Sequence, residues 1–67
     1  VGETAVEAVK GAVDAVKQVG GDTVDATKKA VEAAVETAQE IGSDAVKTVK
    51  DSLSTGVEGA KDIVDSL

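Results

Sequence analysis

The dominant feature of the chain is a valine that recurs at one position of an 11-residue unit. Val13, Val24, Val35, Val46 and Val57 follow one another at this spacing, and each is followed by a charged residue. Eleven residues make about three turns of an α-helix, so the repeat keeps these valines on one helix face. Steps of three, four and four residues extend that face into a stripe that is apolar or small throughout. Its larger side chains are Val9, Val13, Val16, Val24, Val31, Val35, Val46, Val49, Leu53, Val57 and Val64.

Two glycine sites interrupt the stripe and divide the predicted helix. Gly20-Gly21 is followed by Asp22, and Gly42 is followed by Ser43. Glycine is favoured just after the end of a helix, and Ser or Asp is favoured as the cap of the next one. Both sites therefore combine a stop signal with a start signal. We predict helices at about 3–19, 22–41 and 44–66, with breaks at 20–21 and 42–43.

The third predicted helix is the weakest of the three. Gly56 and Gly59 lie in its interior, where each costs up to about 1 kcal/mol relative to alanine. Short connections favour antiparallel neighbours, and residues 5–18 also follow a heptad pattern that favours coiled packing. The predicted fold is therefore all-α: residues 1–67 form one domain, an antiparallel three-helix bundle with a Val/Ala core. The alternative is an extended, broken amphipathic helix roughly 100 Å long.

Composition narrows the chemistry that this domain can perform. The chain has no Cys, His, Pro, Met or aromatic residue, which excludes zinc fingers, disulfides and base-stacking platforms. Thirteen acidic residues against seven basic ones give a net charge of −6, which argues against a nucleic-acid partner. No apolar run reaches the roughly 20 residues of a membrane span, and the charges from Glu3 onward predict no signal peptide. We expect no cofactor and no enzymatic activity.

Few polar residues are candidates for a site. Glu32, Glu36 and Glu40 share a helix face and could bind a divalent cation, but no histidine or pocket accompanies them, so a solvated face is the favoured interpretation. Lys28-Lys29 is the only basic pair, and two charges are few for an anionic-lipid site.

Threonines occupy one position of the 11-residue unit at Thr4, Thr37 and Thr48. This spacing on an Ala-rich helix resembles the ice-binding face of the type I fish antifreeze proteins. Only half of the equivalent positions carry threonine, and Val rather than Ala dominates the chain. Ice binding is therefore a minor alternative, and tolerated small polar residues are the favoured interpretation.

The repeat as a whole resembles the amphipathic helical repeat families. Units of the form V-[DE]-x-x-x-K with breaks every 22 residues are similar to those of perilipins, exchangeable apolipoproteins, synuclein-like proteins and group 3 late-embryogenesis-abundant proteins. The segment 48–64, TVKDSLSTGVEGAKDIV, is most similar to the perilipin type. This resemblance implies lipid-surface coating or desiccation protection without catalysis. The small residue alphabet and clean junctions also resemble a designed helical bundle.

Two functional hypotheses follow. In the first, the chain is a non-enzymatic amphipathic module whose stripe binds a lipid surface or a partner helix. In the second, it is a designed or purely structural bundle with no ligand, and the stripe is its core. A second copy of the chain could complete so thin a core, so a homo-oligomer is an open alternative. Desiccation protection and ice binding are the minor alternatives.

Overall fold

A computed structural model describes residues 2–67, which contain four α-helices. The all-α prediction is thus confirmed, but the predicted number of helices is wrong. The first two predicted helices are present with slightly shifted ends, whereas the segment predicted as one helix over 44–66 forms two helices. The helices are α1 (Gly2–Gln18), α2 (Thr23–Ile41), α3 (Ser43–Gly56) and α4 (Ala60–Ser66).

The junction between α1 and α2 is built from local hydrogen bonds. Gly20 adopts a left-handed conformation with φ 77°, which glycine tolerates without steric cost. Its N–H donates to the Lys17 carbonyl at 3.1 Å, and the Gly21 N–H donates to the Val16 carbonyl at 2.9 Å. These two hydrogen bonds form a Schellman motif, which ends α1. The Asp22 carboxylate then caps α2 by accepting from the N–H groups of two residues in its first turn, at 3.0 and 3.1 Å.

The junction between α2 and α3 is shorter than predicted. Gly42 alone separates the two helices and caps both of them, with φ 153° and ψ 170°. Its N–H donates to the Ala38 carbonyl at 3.0 Å, and its own carbonyl accepts from the Val46 N–H at 3.2 Å. No side chain caps α3, so the prediction that a Ser or Asp side chain would start this helix is wrong. The backbone of Gly42 is in a region populated almost only by glycine, which makes a one-residue junction feasible.

The link between α3 and α4 is the break that the stripe did not predict. Val57 is extended, with φ −121° and ψ 121°, and Gly59 is left-handed, with φ 83°. Gly56 and Gly59 weaken the helix in this region, because each is about 1 kcal/mol less favourable than alanine inside a helix. The bend lets α4 pack against α2 as well as α3. Tertiary packing therefore outweighs the helical periodicity of residues 57–59.

Helices α1, α2 and α3 each pack against the other two. The molecule measures 35 × 20 × 18 Å along its principal axes, so the extended alternative of roughly 100 Å is wrong for this structure. The interior is wholly aliphatic except for Thr27, whose hydroxyl donates to the Thr23 carbonyl at 2.7 Å. The buried apolar side chains are Val9, Val31, Val35, Ala38, Val49, Leu53, Val57, Ala60 and Val64.

Glycine permits a close approach between α1 and α3. A Cβ atom added at Gly56 would lie 3.0 Å from a methyl carbon of Val6 and 3.7 Å from its Cβ. Gly2 is buried against Ser52 and Thr48, where a side chain would collide with Ser52. The interior glycine that the sequence marks as a weak point of the third helix therefore also serves as a packing position.

Candidate apolar interaction surface

The predicted stripe lies mainly in the interior of the bundle. Seven of its larger side chains are buried, namely Val9, Val31, Val35, Val49, Leu53, Val57 and Val64. Val13, Val16 and Val46 are half-buried at its edge. The stripe residues of all four helices therefore face one another, and in this conformation they offer little surface to a partner.

Val24 is the exception within the stripe. Its side chain is 74% exposed, although it has the same register as the buried valines. It lies in the first turn of α2, next to the Gly20-Gly21 turn, and Val19 on the other side of that turn is 83% exposed. One turn further along α2, Thr27 is buried. Position along the bundle thus decides burial here, and residue polarity does not.

No side-chain hydrogen bond or ion pair within residues 2–67 joins two helices. Every side-chain hydrogen bond in residues 2–67 joins groups no more than four positions apart. The ion pair found there, Lys29 to Asp25 at 3.2 Å, is also within α2 and exposed. No buried side-chain nitrogen or oxygen atom in this range lacks a hydrogen-bond partner. Packing of mainly aliphatic groups therefore holds the helices of this range together.

A second apolar face lies beside the stripe, between α1 and α2. It is a groove of about 660 Å³, and the alanines Ala5, Ala8 and Ala12 of α1 face Ala30, Ala33 and Ala34 of α2 across it. Thr4, Thr37 and the 65% exposed Ile41 lie at the end of the groove near the α2–α3 junction. We did not predict this face from the sequence, although the alanine spacing of three and four residues next to the stripe was a usable signal.

The polar candidates do not converge on a site. Glu32, Glu36 and Glu40 are exposed along α2, and no group of three acidic residues within 2–67 could hold a metal ion. Lys28 and Lys29 are also exposed. The described helices include none that is long and apolar enough to cross a membrane.

The three threonines of the 11-residue register are divided between two places. Thr4 and Thr37 both line the alanine groove, whereas Thr48 is an exposed residue of α3 near Gly2. The groove between them is concave. The three threonines lie on three different helices, Thr4 on α1, Thr37 on α2 and Thr48 on α3.

Comparison with known proteins identifies no relative of the chain. No protein-family model matches the chain, and no curated protein or solved structure shows significant similarity to it.

Proposed function

We propose that the chain is a non-enzymatic amphipathic helical module that binds a lipid surface by opening its bundle, so that the stripe faces the lipid. The observation that supports this proposal is that every polar side-chain contact within residues 2–67 is local. Opening the bundle breaks no hydrogen bond or ion pair between side chains of different helices. It exposes aliphatic surface, and a lipid surface can bury that surface again.

The same aliphatic side chains can be buried in two environments, the closed bundle and a lipid surface. Seven buried Val and Leu side chains contribute about 10 kcal/mol to the closed bundle, at roughly 1.5 kcal/mol each. On an apolar surface they regain most of this burial without the bundle. A core of larger side chains would favour the closed state more strongly, so a thin Val/Ala core suits reversible opening.

In the closed state we propose an antiparallel three-helix bundle in which α3 and α4 together form the third member. The two glycine junctions then act as the hinges of opening. Gly20-Gly21 and Gly42 each join helices through backbone hydrogen bonds within their own segment. These bonds survive when the helices separate, so each helix keeps its length while its neighbours move away.

A lipid surface is favoured over a partner helix because the chain lacks anchors for a protein interface. Protein hot spots are enriched in Trp, Tyr and Arg, none of which occurs here. Lipid binding of an amphipathic helix strengthens with the apolar area that it buries, which the stripe provides. The net charge of −6 favours uncharged lipid, since an anionic surface repels the chain. We therefore propose neutral membranes with packing defects as the target.

A disulfide lock tests this proposal directly. In the double variant Val6→Cys, Gly56→Cys, the two Cβ atoms are expected about 3.7 Å apart, close to the distance found in disulfides. Oxidation then ties α1 to α3 and keeps the bundle closed. We expect the oxidised form to float with vesicles of phosphatidylcholine and diacylglycerol about tenfold less well than the reduced form. The reason is that fewer molecules are then in the open conformation that binds lipid.

The wild-type chain is the matched control, because it has no cysteine and must respond neither to oxidant nor to reductant. Equal flotation of the oxidised and reduced variant would show that binding needs no opening. If the wild type fails to float with these vesicles and melts cooperatively with no effect of lipid, the module is a ligand-free structural bundle. Sedimentation without lipid detects a second copy.

A further inference from the structure

The link between α3 and α4 interrupts a helix face that the sequence continues. Leu53, Val57, Ala60 and Val64 are spaced by four, three and four residues and would share one face of an unbroken helix. In the bent structure all four are buried as well. The same side chains thus form an apolar face whether the segment is bent around α2 or straight.

No side-chain hydrogen bond holds the link in its bent form. Gly59 occupies the cap position of α4 and provides no side-chain hydrogen bond, whereas Asp22 provides two at the start of α2. The bonds at the link are made by the backbone, from the Val57 N–H to the Leu53 carbonyl at 3.0 Å and from the Ala60 N–H to the Val57 carbonyl at 3.2 Å. The bend therefore depends on the packing of α4.

The part of that packing made with α2 exists only while the bundle is closed. Helix α4 has seven residues and contacts α2 and α3. Isolated helices shorter than about 12 residues are marginal in water, because nucleation is costly and few bonds follow it. Once α2 moves away, α4 loses the contact that favours the bend. Joining α4 to α3 then adds helical hydrogen bonds without a new nucleus.

We infer that the Val57–Gly59 link is a conformational switch, bent in the closed bundle and helical on a lipid surface, so that lipid binding and a continuous helix over 43–66 are coupled. This inference rests on the proposed function. It distinguishes the link from the other two junctions. At those junctions, Asp22 caps the helix that follows Gly20-Gly21, and the backbone of Gly42 caps both of its neighbouring helices, so we expect both junctions to stay broken in the two states.

The chirality of residue 59 provides the test. The 67-residue chain is prepared by chemical synthesis with L-alanine or D-alanine in place of Gly59. L-alanine disfavours the left-handed bend and favours a helix, and a Cβ at this position meets no atom within 4 Å. Together these effects shift the balance toward the straight form by roughly 30-fold. D-alanine favours the left-handed conformation and opposes straightening.

Flotation and NMR are the measurements. We expect the L-alanine variant to bind neutral vesicles several-fold more tightly than the wild type, and the D-alanine variant to bind several-fold less tightly. In lipid bicelles, Cα chemical shifts of residues 57–59 are expected to become helical in the wild type and in the L-alanine variant. Gly11→Ala is the control, since it raises helix propensity at an exposed position of α1 with nothing within 4 Å.

The outcomes separate the two proposals. If the wild type binds vesicles but the L- and D-alanine variants bind equally, or the shifts at 57–59 stay non-helical in bicelles, the switch is wrong and the proposed function stands. If the L-alanine variant merely fails to fold, the result for the D-alanine variant and the wild-type shifts still decide. If the wild type does not bind vesicles, the proposed function and the switch are both overturned.

Discussion

Helix α2 and the segment from α3 to α4 share the same stripe and are of comparable length, yet only α2 is one helix. Helix α2 begins at a side-chain cap on Asp22 and contains no glycine. The other segment has no side-chain cap and contains Gly56 and Gly59. Apolar periodicity thus selects the helix face in both segments, whereas the missing cap and the two glycines let the α3–α4 segment bend where packing favours it.

Side-chain hydroxyls add to this difference. Ser54 donates to the Lys50 carbonyl at 2.8 Å, and Thr55 donates to the Asp51 carbonyl at 3.1 Å, both just before the bend. Such bonds compete with the backbone for its carbonyls and slightly weaken or bend helices. In α2 the one comparable bond is that of Thr27, near the start of the helix. Residues 50–55 are thus less strongly helical than the interior of α2.

The largest expected effect is on the core contact that supports the weaker segment. Leu53 is fully buried and is the only leucine in the interior. We expect Leu53→Ala to lower the free energy of unfolding by about 3 kcal/mol, because it leaves a cavity that small neighbours cannot fill. Urea denaturation followed by circular dichroism measures this loss. Val24→Ala is the control and should change stability by less than about 0.5 kcal/mol, since Val24 is exposed.

A loss below about 1 kcal/mol for Leu53→Ala would contradict the expectation that small neighbours cannot fill the cavity. The same truncation in α2, Val31→Ala, removes fewer carbon atoms from an equally buried site. Its cost is expected to be smaller by about the value of one buried CH₂, roughly 0.8 kcal/mol.

The next largest loss of stability is expected at the Asp22 cap, because α2 has a side-chain cap and the α3–α4 segment has none. Asp22→Ala removes the acceptor for two N–H groups of α2, and we expect a loss of about 1 kcal/mol. Ser43→Ala is the matched variant at the start of α3, where no side-chain cap bond exists, and it should change stability by less than about 0.5 kcal/mol. Thermal melts of both variants test this. Equal losses would show that the Asp22 cap does not set α2 apart.

The smallest effect concerns glycine in helix interiors. Gly11→Ala should stabilise the protein by about 0.5–1 kcal/mol, because alanine restricts the unfolded chain and its Cβ meets no atom within 4 Å. Gly56→Ala should gain less or lose stability, because its Cβ would lie 3.0 Å from a Val6 methyl carbon. Denaturation midpoints of the two variants give the comparison. A larger gain for Gly56→Ala than for Gly11→Ala would mean that the approach of α1 to α3 is looser than described.

Sequence reasoning was most successful where local rules act. The helical class and the extents of α1 and α2 follow from period and glycine position within a few residues. Sequence reasoning did not predict that Gly42 alone joins α2 to α3, or that the chain bends after Gly56. At these positions, packing selects among backbone conformations of similar energy. Sequence reasoning also missed the alanine groove, although alanines recur at a spacing of three and four residues beside the stripe. Such a groove exists only when α1 and α2 place Ala8 and Ala33 on facing sides.

The sequence by itself determined an all-helical chain with one aliphatic face, because periodicity and caps act over a few neighbouring residues. Only the tertiary structure decided which parts of that face are covered. Val24 is exposed and Thr27 is buried in the same stripe, since burial depends on where neighbouring helices end. The tertiary structure also decided the bend at residues 57–59, because in this bend α4 packs against α2, a helix distant in the chain, as well as against α3.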